Sequence, residues 1–150
     1  MSFGIDVNIL LYASDAGCPE HAKARAFIEQ CASGGEVFCL AWVTLMSYLR
    51  MATHPAIFTQ PLAHEEAARN VEALLALPHL RVIGEGEGQG QGQAFWAQYR
   101  RLSSELPVRG NLVPDAHLAA LLRQHGVKTI YTRDKDFRKF DGLTVRDPLA

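Results

Sequence analysis

The sequence predicts an α/β fold, a three-layer α/β/α sandwich around a mainly parallel sheet, and two observations carry that expectation. Short apolar runs of strand type, at 2–5, 37–40, 80–83 and 127–131, are separated by stretches with helical periodicity. They are continuous rather than alternating, the pattern of strands covered on both faces. The second observation is size. With 150 residues, 48% of them hydrophobic, the chain suits a single domain spanning 1–150. A domain of that length buries roughly 68–70% of its unfolded surface, so no disulfide or metal staple is required to hold it together.

Element by element, Ser2–Ile5 reads as a strand that stops at Asp6, and Val7–Ala13 continues as a helical turn. Cys18-Pro19-Glu20 opens a helix to about Cys31, ended by Ser33-Gly34-Gly35. Val37–Leu40 is a strand. A helix follows over about Ala41 to Thr53, with Trp42, Leu45, Met46 and Leu49 as its core stripe. Another runs from about Ala63 to Leu77, and Leu80–Ile83 is a short strand. The glycine/glutamine repeat Gly84–Gln93 reads as a mobile loop into a helix around Ala94–Leu106, because it supplies neither GK[ST] nor GxGxxG for a phosphate cradle. Pro114 opens the next helix at its first position, with Gly126 as its stop. Val127–Tyr131 is the clearest late strand, and Val145 belongs to a final one.

Composition excludes several classes. Cys18, Cys31 and Cys39 are odd in number and form no CxxC, so neither a disulfide framework nor a zinc site is expected. No apolar run approaches the roughly 18–20 residues of a membrane span, and the opening Met1–Asn8 has no basic region of a signal peptide. A reduced, cytoplasmic protein is expected. Residues 1–75 carry four bases against eight acids and residues 76–150 eleven against eight, so binding to nucleic acid through bulk charge is not expected.

Acids matter here by position. Asp6 directly follows the first strand, and in an open parallel sheet the carboxyl ends of strands line the ligand crevice; Asp6 or Asn8 reads equally as a helix cap. Asp115 falls in the first turn of its helix, on the side of Leu118, Ala119 and Leu122. It is either a dipole-stabilised acid or a carboxylate that needs a cation. Asp134 ends a second strand, and Asp136 is a third such acid or the cap of a short helical turn. Acids brought to one sheet edge repel unless they share a divalent ion. Oxygen-only ligands select Mg²⁺ or Mn²⁺, and that ion suits phosphodiester hydrolysis.

These residues carry a resemblance. The chain resembles the PIN domain, specifically the VapC-type toxin ribonucleases, through four segments. They are Ile5–Tyr12; Trp42–Leu45 with Leu49, Arg50 and Thr53–Pro55; Gly110–Leu121; and Thr132–Phe137 with Phe140, Leu143 and Asp147–Leu149. The resemblance implies a parallel-sheet fold, Mg²⁺- or Mn²⁺-dependent cleavage of RNA, a homodimer, and inhibition by a small VapB-like antitoxin. It puts the family's acids on Asp6, Asp115 and Asp134, with Asp136 as a further metal ligand, and supporting polar positions on Asn8 and Thr132. One position departs. The family's glutamate, three residues before an arginine such as Arg50, is Ser47 here. Its loss predicts one firmly held metal and a weaker, substrate-assisted second.

Arg133, Lys135, Arg138 and Lys139 crowd the segment carrying Asp134 and read as a phosphate grip that positions RNA; Arg50, Arg100, Arg101 and Arg109 are weaker candidates. His117 lies two residues from Asp115 and is expected to point away from it. The antitoxin is expected in a groove of the early helices, near Trp42, Phe27 and Ile28. The rival reading is a degenerate scaffold that binds RNA or a protein without cutting, motivated by Ser47. A phospho-acceptor receiver domain is set aside, because neither Leu40 nor Ile83 is followed at once by an Asp.

Overall fold

The structure, a computed structural model, describes residues 2–86 and 91–150. Its elements run β1 (Phe3–Ile5), α1 (Val7–Ser14), α2 (His21–Ser33), β2 (Phe38–Ala41), α3 (Trp42–Ala52), α4 (His64–Leu75) and β3 (Leu80–Ile83). They continue with α5 (Gln91–Glu105), α6 (Leu112–Gln124), β4 (Thr129–Tyr131), a 3₁₀ turn (Lys135–Lys139) and β5 (Thr144–Arg146). The five strands form one sheet in the order β3-β2-β1-β4-β5, with every pairing parallel. Chain direction across the sheet therefore reverses between β1 and β4, and the crevice beyond their carboxyl ends is the switch point of an open α/β sheet.

Side chains on β2 sort the two faces. Phe38 and Leu40 join a core with Ile9, Leu10, Leu45 and Tyr48 under α1–α4. Cys39 and Ala41 join a second core with Leu102, Leu118, Leu121 and Phe137 under α5, α6 and the 3₁₀ turn. Two helical layers over one sheet give the expected sandwich, and every strand pairing is parallel where the sequence promised a mainly parallel sheet.

Several boundaries and one packing assignment differ from expectation. Helix α2 begins at His21, so Pro19 and Glu20 precede it. Helix α5 begins at Gln91 and takes in the end of the glycine/glutamine repeat. The expected mobility of that repeat falls on 87–90, outside the described residues. Helix α6 begins at Leu112, which makes Pro114 its third residue rather than its first. Proline is tolerated there because the first four amides of a helix lack intrahelical acceptors anyway. The chain enters through Gly110 at φ +57, a left-handed turn that glycine adopts without strain.

The core stripe of α3 is the larger correction. Leu45 is fully buried, yet Trp42 is 51% and Met46 59% exposed. The face turned inward carries Thr44, Leu45, Tyr48 and Ala52 instead. An apolar residue on a helix predicts burial only if another element covers its side, and the described residues leave this side about half uncovered. Phe27 and Ile28 are half-buried, as the groove expectation required.

Candidate active site at the switch point

Asp6 ends β1 and caps α1. Its extended backbone (φ −82, ψ 160) turns the side chain back so that Oδ1 accepts from the Val7 amide at 2.8 Å. The other oxygen accepts from the Thr132 hydroxyl at 2.8 Å. The capping reading is thus correct as geometry, and the same carboxylate lines the crevice.

Thr132 is the hub. Only 1% exposed, it follows β4 and is pinned by its amide to the Arg146 carbonyl at 2.9 Å. Since its only proton goes to Asp6, its oxygen can serve the neighbours only as acceptor. It accepts from Asn8 Nδ2 at 3.2 Å and from the Asp134 amide at 2.9 Å. Those bonds fix the Asn8 amide with Nδ2 toward Thr132, and leave Asn8 Oδ1 buried with no partner among the described residues. Asp134 in turn caps the 3₁₀ turn, accepting from the Asp136 amide at 2.9 Å.

Asp115 comes from the opposite helical layer, in the first turn of α6, where it is half-buried while Ala116 and Leu118–Leu122 below it are buried. Carboxylate oxygens of Asp115, Asp134 and Asp136 all lie within 4.8 Å of one another. Asp6 shares the cavity with Asp115 and Asp134, but its two oxygens are already engaged by Thr132 and Val7. Electrostatics records the crowding. Burial, then Asp134, Asp6 and Asp136, push the Asp115 carboxyl up to about 7, with Lys139 opposing. Burial also raises Asp6, against the hydrogen bonds from Thr132 and Val7.

The donor set is all oxygen, and unneutralised acids at this spacing are costly, so the cluster fits a hard divalent cation. Asp115, Asp134 and Asp136 would hold it, with Asp6 beside them. The cavity measures about 530 Å³ and is also lined by Asn8, Ser47, Arg50 and His117.

The expected basic grip is dispersed. Arg133 pairs with Asp147 at 3.2 Å and reaches Glu20 at 4.0 Å. Lys139 pairs with Asp136 at 3.2 Å. Lys135 and Arg138 are exposed on the 3₁₀ turn, and none of the four lines the cavity. Arg50, ranked below them by sequence, does line it. His117 is among the lining residues, and its Nε2 lies 2.6 Å from Glu85 Oε1, a residue outside that lining. Arg50 is already a weaker candidate in the sequence, whereas Glu85 carries no local signal, since loops and helix faces far apart in sequence meet only after folding.

No helix among the described residues is long and apolar enough to cross a membrane. The PIN domain family profile matches residues 5–143. The chain is 43% identical over 150 residues to Ribonuclease VapC48 of Mycobacterium tuberculosis, covering 100% of this chain and 99% of that protein. It is 34% identical over 145 residues to Ribonuclease VapC43 of the same organism, covering 97% and 94%. Among solved structures it is similar to VapBC2 from Rickettsia felis bound to a promoter DNA fragment, at a TM-score of 0.68, 16% identity, and 98% of each chain. It is also similar to Mycobacterium tuberculosis VapC20, a toxin that cleaves the sarcin-ricin loop, at 0.64, 18% identity, and 95% and 98% coverage.

Proposed function

The chain belongs to the PIN domain family, and on that premise we propose that it is a divalent-metal-dependent endoribonuclease of the VapC toxin type, restrained by a small VapB-like antitoxin. The observation that carries this reading is the acid group Asp115, Asp134 and Asp136, closing to 4.8 Å at the switch point with Asp6 alongside. The ribonuclease names of the relatives at 43% and 34% identity support it.

The geometry supports an assignment of roles. Asp6, Asp115 and Asp134 are the residues we assign to catalysis, with Asp136 as a further oxygen donor to the ion, Mg²⁺ or Mn²⁺. When bound, that ion supplies Lewis acidity toward a phosphoryl oxygen and acidifies water beside it. Thr132 orients Asp6 and Asp134 together, through one donated and one accepted hydrogen bond. Asn8 holds Thr132 in the rotamer that allows both. Asp115, whose carboxyl is pushed up to about 7 by burial and by its acidic neighbours, is a carboxylate at which protons and the ion compete.

The surface we assign to the antitoxin is an apolar groove of about 300 Å³ lined by Leu10, Ile28, Ala32, Leu74 and Leu77. The solved neighbours that are VapBC structures support a partner of that kind. An Ile28→Asp variant is expected to lose the antitoxin in a pull-down while still cutting RNA.

The test of the activity is direct. Purified protein with a structured RNA and Mn²⁺ should yield discrete fragments, and EDTA should stop the reaction. RNA bound but never cut, at any Mg²⁺ or Mn²⁺ concentration, would instead establish the second reading, a binding scaffold that lost its chemistry with Ser47.

A further inference from the structure

One face of α3 lines the cavity through Val43, Ser47, Arg50 and Met51, and Asp6, Asp115 and Asp134 line the same cavity. Among the described residues, Arg50 is the only lysine or arginine in that lining. Its side chain is exposed and makes no ion pair or hydrogen bond among the described residues. The acids do not occupy it either. The cation that acts on Asp115 is Lys139, which is bound to Asp136.

Such a charge is usually quenched by its own helix. Residues three apart share a helix face, and a carboxylate at that distance pairs with an arginine. The residue three before Arg50 is Ser47, a hydroxyl without charge. The guanidinium is therefore left exposed on a residue of the cavity lining, with its fork of N–H donors unengaged among the described residues. That fork matches a phosphate bidentately. A polyanion entering a cavity lined with carboxylates is repelled, and one uncommitted cation inside the lining offsets that repulsion where the strand must pass.

We propose that Arg50 is the phosphate-holding residue of this site, gripping a backbone phosphate of single-stranded RNA next to the bond that is cut, and that Ser47 keeps it free to do so. The inference rests on the ribonuclease reading above. It makes Arg50 a positioning residue: it raises affinity for the strand and leaves the chemical step to the acids.

Steady-state cleavage and binding of a short fluorescent single-stranded RNA, the latter with Ca²⁺ in place of Mg²⁺, test it on the full-length protein. Arg50→Ala is expected to raise KM about tenfold, the loss of one charge-assisted contact, with kcat nearly unchanged. The slope of log K against log salt should become shallower by about 0.7, the value for one phosphate on a single strand. Arg50→Lys should recover the slope, since the charge returns, but only part of the affinity, since the fork does not. Ser47→Glu should raise KM in the native background and do nothing further in Arg50→Ala. A variant Arg50→Ala with native KM and salt slope overturns the proposal, as does one that loses kcat at constant KM. Equal effects of Ser47→Glu in both backgrounds overturn the part assigned to Ser47. If the native protein cuts RNA and Arg50→Ala matches it, only this inference fails; if the native protein neither binds nor cuts, the ribonuclease reading fails with it.

Discussion

The Thr132 hydroxyl donates to Asp6 Oδ2 at 2.8 Å, joining the residue after β4 to the residue after β1 across 126 positions of sequence. Because β1 and β4 are neighbouring strands, with the Asp6 amide on the Tyr131 carbonyl at 3.0 Å, the bond closes the site along the sheet edge. It also ranks the acids. Asp6 is held rigidly by two donors, whereas Asp115 reaches the same crevice from α6 with no such anchor among the described residues.

Thr132→Val keeps the shape and removes the hub. Asp6 loses a donor, and Asn8 and the Asp134 amide lose their acceptor. With three hydrogen bonds at about 1 kcal/mol each, destabilisation of about 2–4 kcal/mol is expected in urea unfolding. RNA cleavage should fall at least about tenfold through misplacement of Asp6 and Asp134. Thr132→Ser keeps the hydroxyl and should recover most of the activity; equal damage from both variants would mean that the methyl, not the hydroxyl, matters.

Asp115→Asn and Asp6→Asn should each lower cleavage by at least about a hundredfold with the fold retained. Far-ultraviolet circular dichroism and fragment analysis on a gel check the two halves of that statement. Native-level cleavage by either variant removes that carboxylate from the catalytic group.

Metal-free stability should depend on pH through Asp115. Its carboxyl ordinarily titrates at 3.8 and is pushed up to about 7 in the folded protein, by burial first and then by Asp134, Asp6 and Asp136. Between those values the folded state binds the extra proton, so the contribution to stability is complete below 3.8 and is lost as pH rises through 7. In EDTA the melting temperature of Asp115→Asn should therefore exceed that of the native protein at about pH 8 and approach it at about pH 4. Mn²⁺ competes with that proton, so its affinity should climb as pH rises toward 7. A difference between the two proteins that stays constant with pH would show that Asp115 is not the titrating group.

Gly4 lies in the middle of β1, where an added Cβ would stand 2.8 Å from Leu122 Cδ2. Leu122 is 1% exposed, so its movement disturbs the α6 packing that carries Asp115. Gly4→Ala should cost about 1–3 kcal/mol in chemical denaturation. No loss of stability would mean that Leu122 has a second rotamer at little expense.

Much of the fold was legible because it rests on local pattern. The runs at Val37–Leu40 and Val127–Tyr131 are short and predominantly apolar, and their separation by helical segments admits few arrangements other than a covered parallel sheet. Candidate acids were legible for a related reason, since Asp6 and Asp134 sit where strands end. What local pattern could not give was direction. Trp42 and Met46 carry the same apolar signature as Leu45, yet they face outward because α3 meets the core through the turn of residues 44, 45, 48 and 52.

The sequence by itself determined the architecture, the acids available to the crevice and the family they resemble, because hydrophobic periodicity and strand-end polarity are properties of neighbouring residues. Only the tertiary structure decided which groups meet. Thr132 binds Asp6, Arg133 pairs with Asp147, and Arg50 joins the lining of the cavity. Such pairings depend on the register of strands and the rotation of helices across the whole chain, and those are set by packing rather than by any one segment.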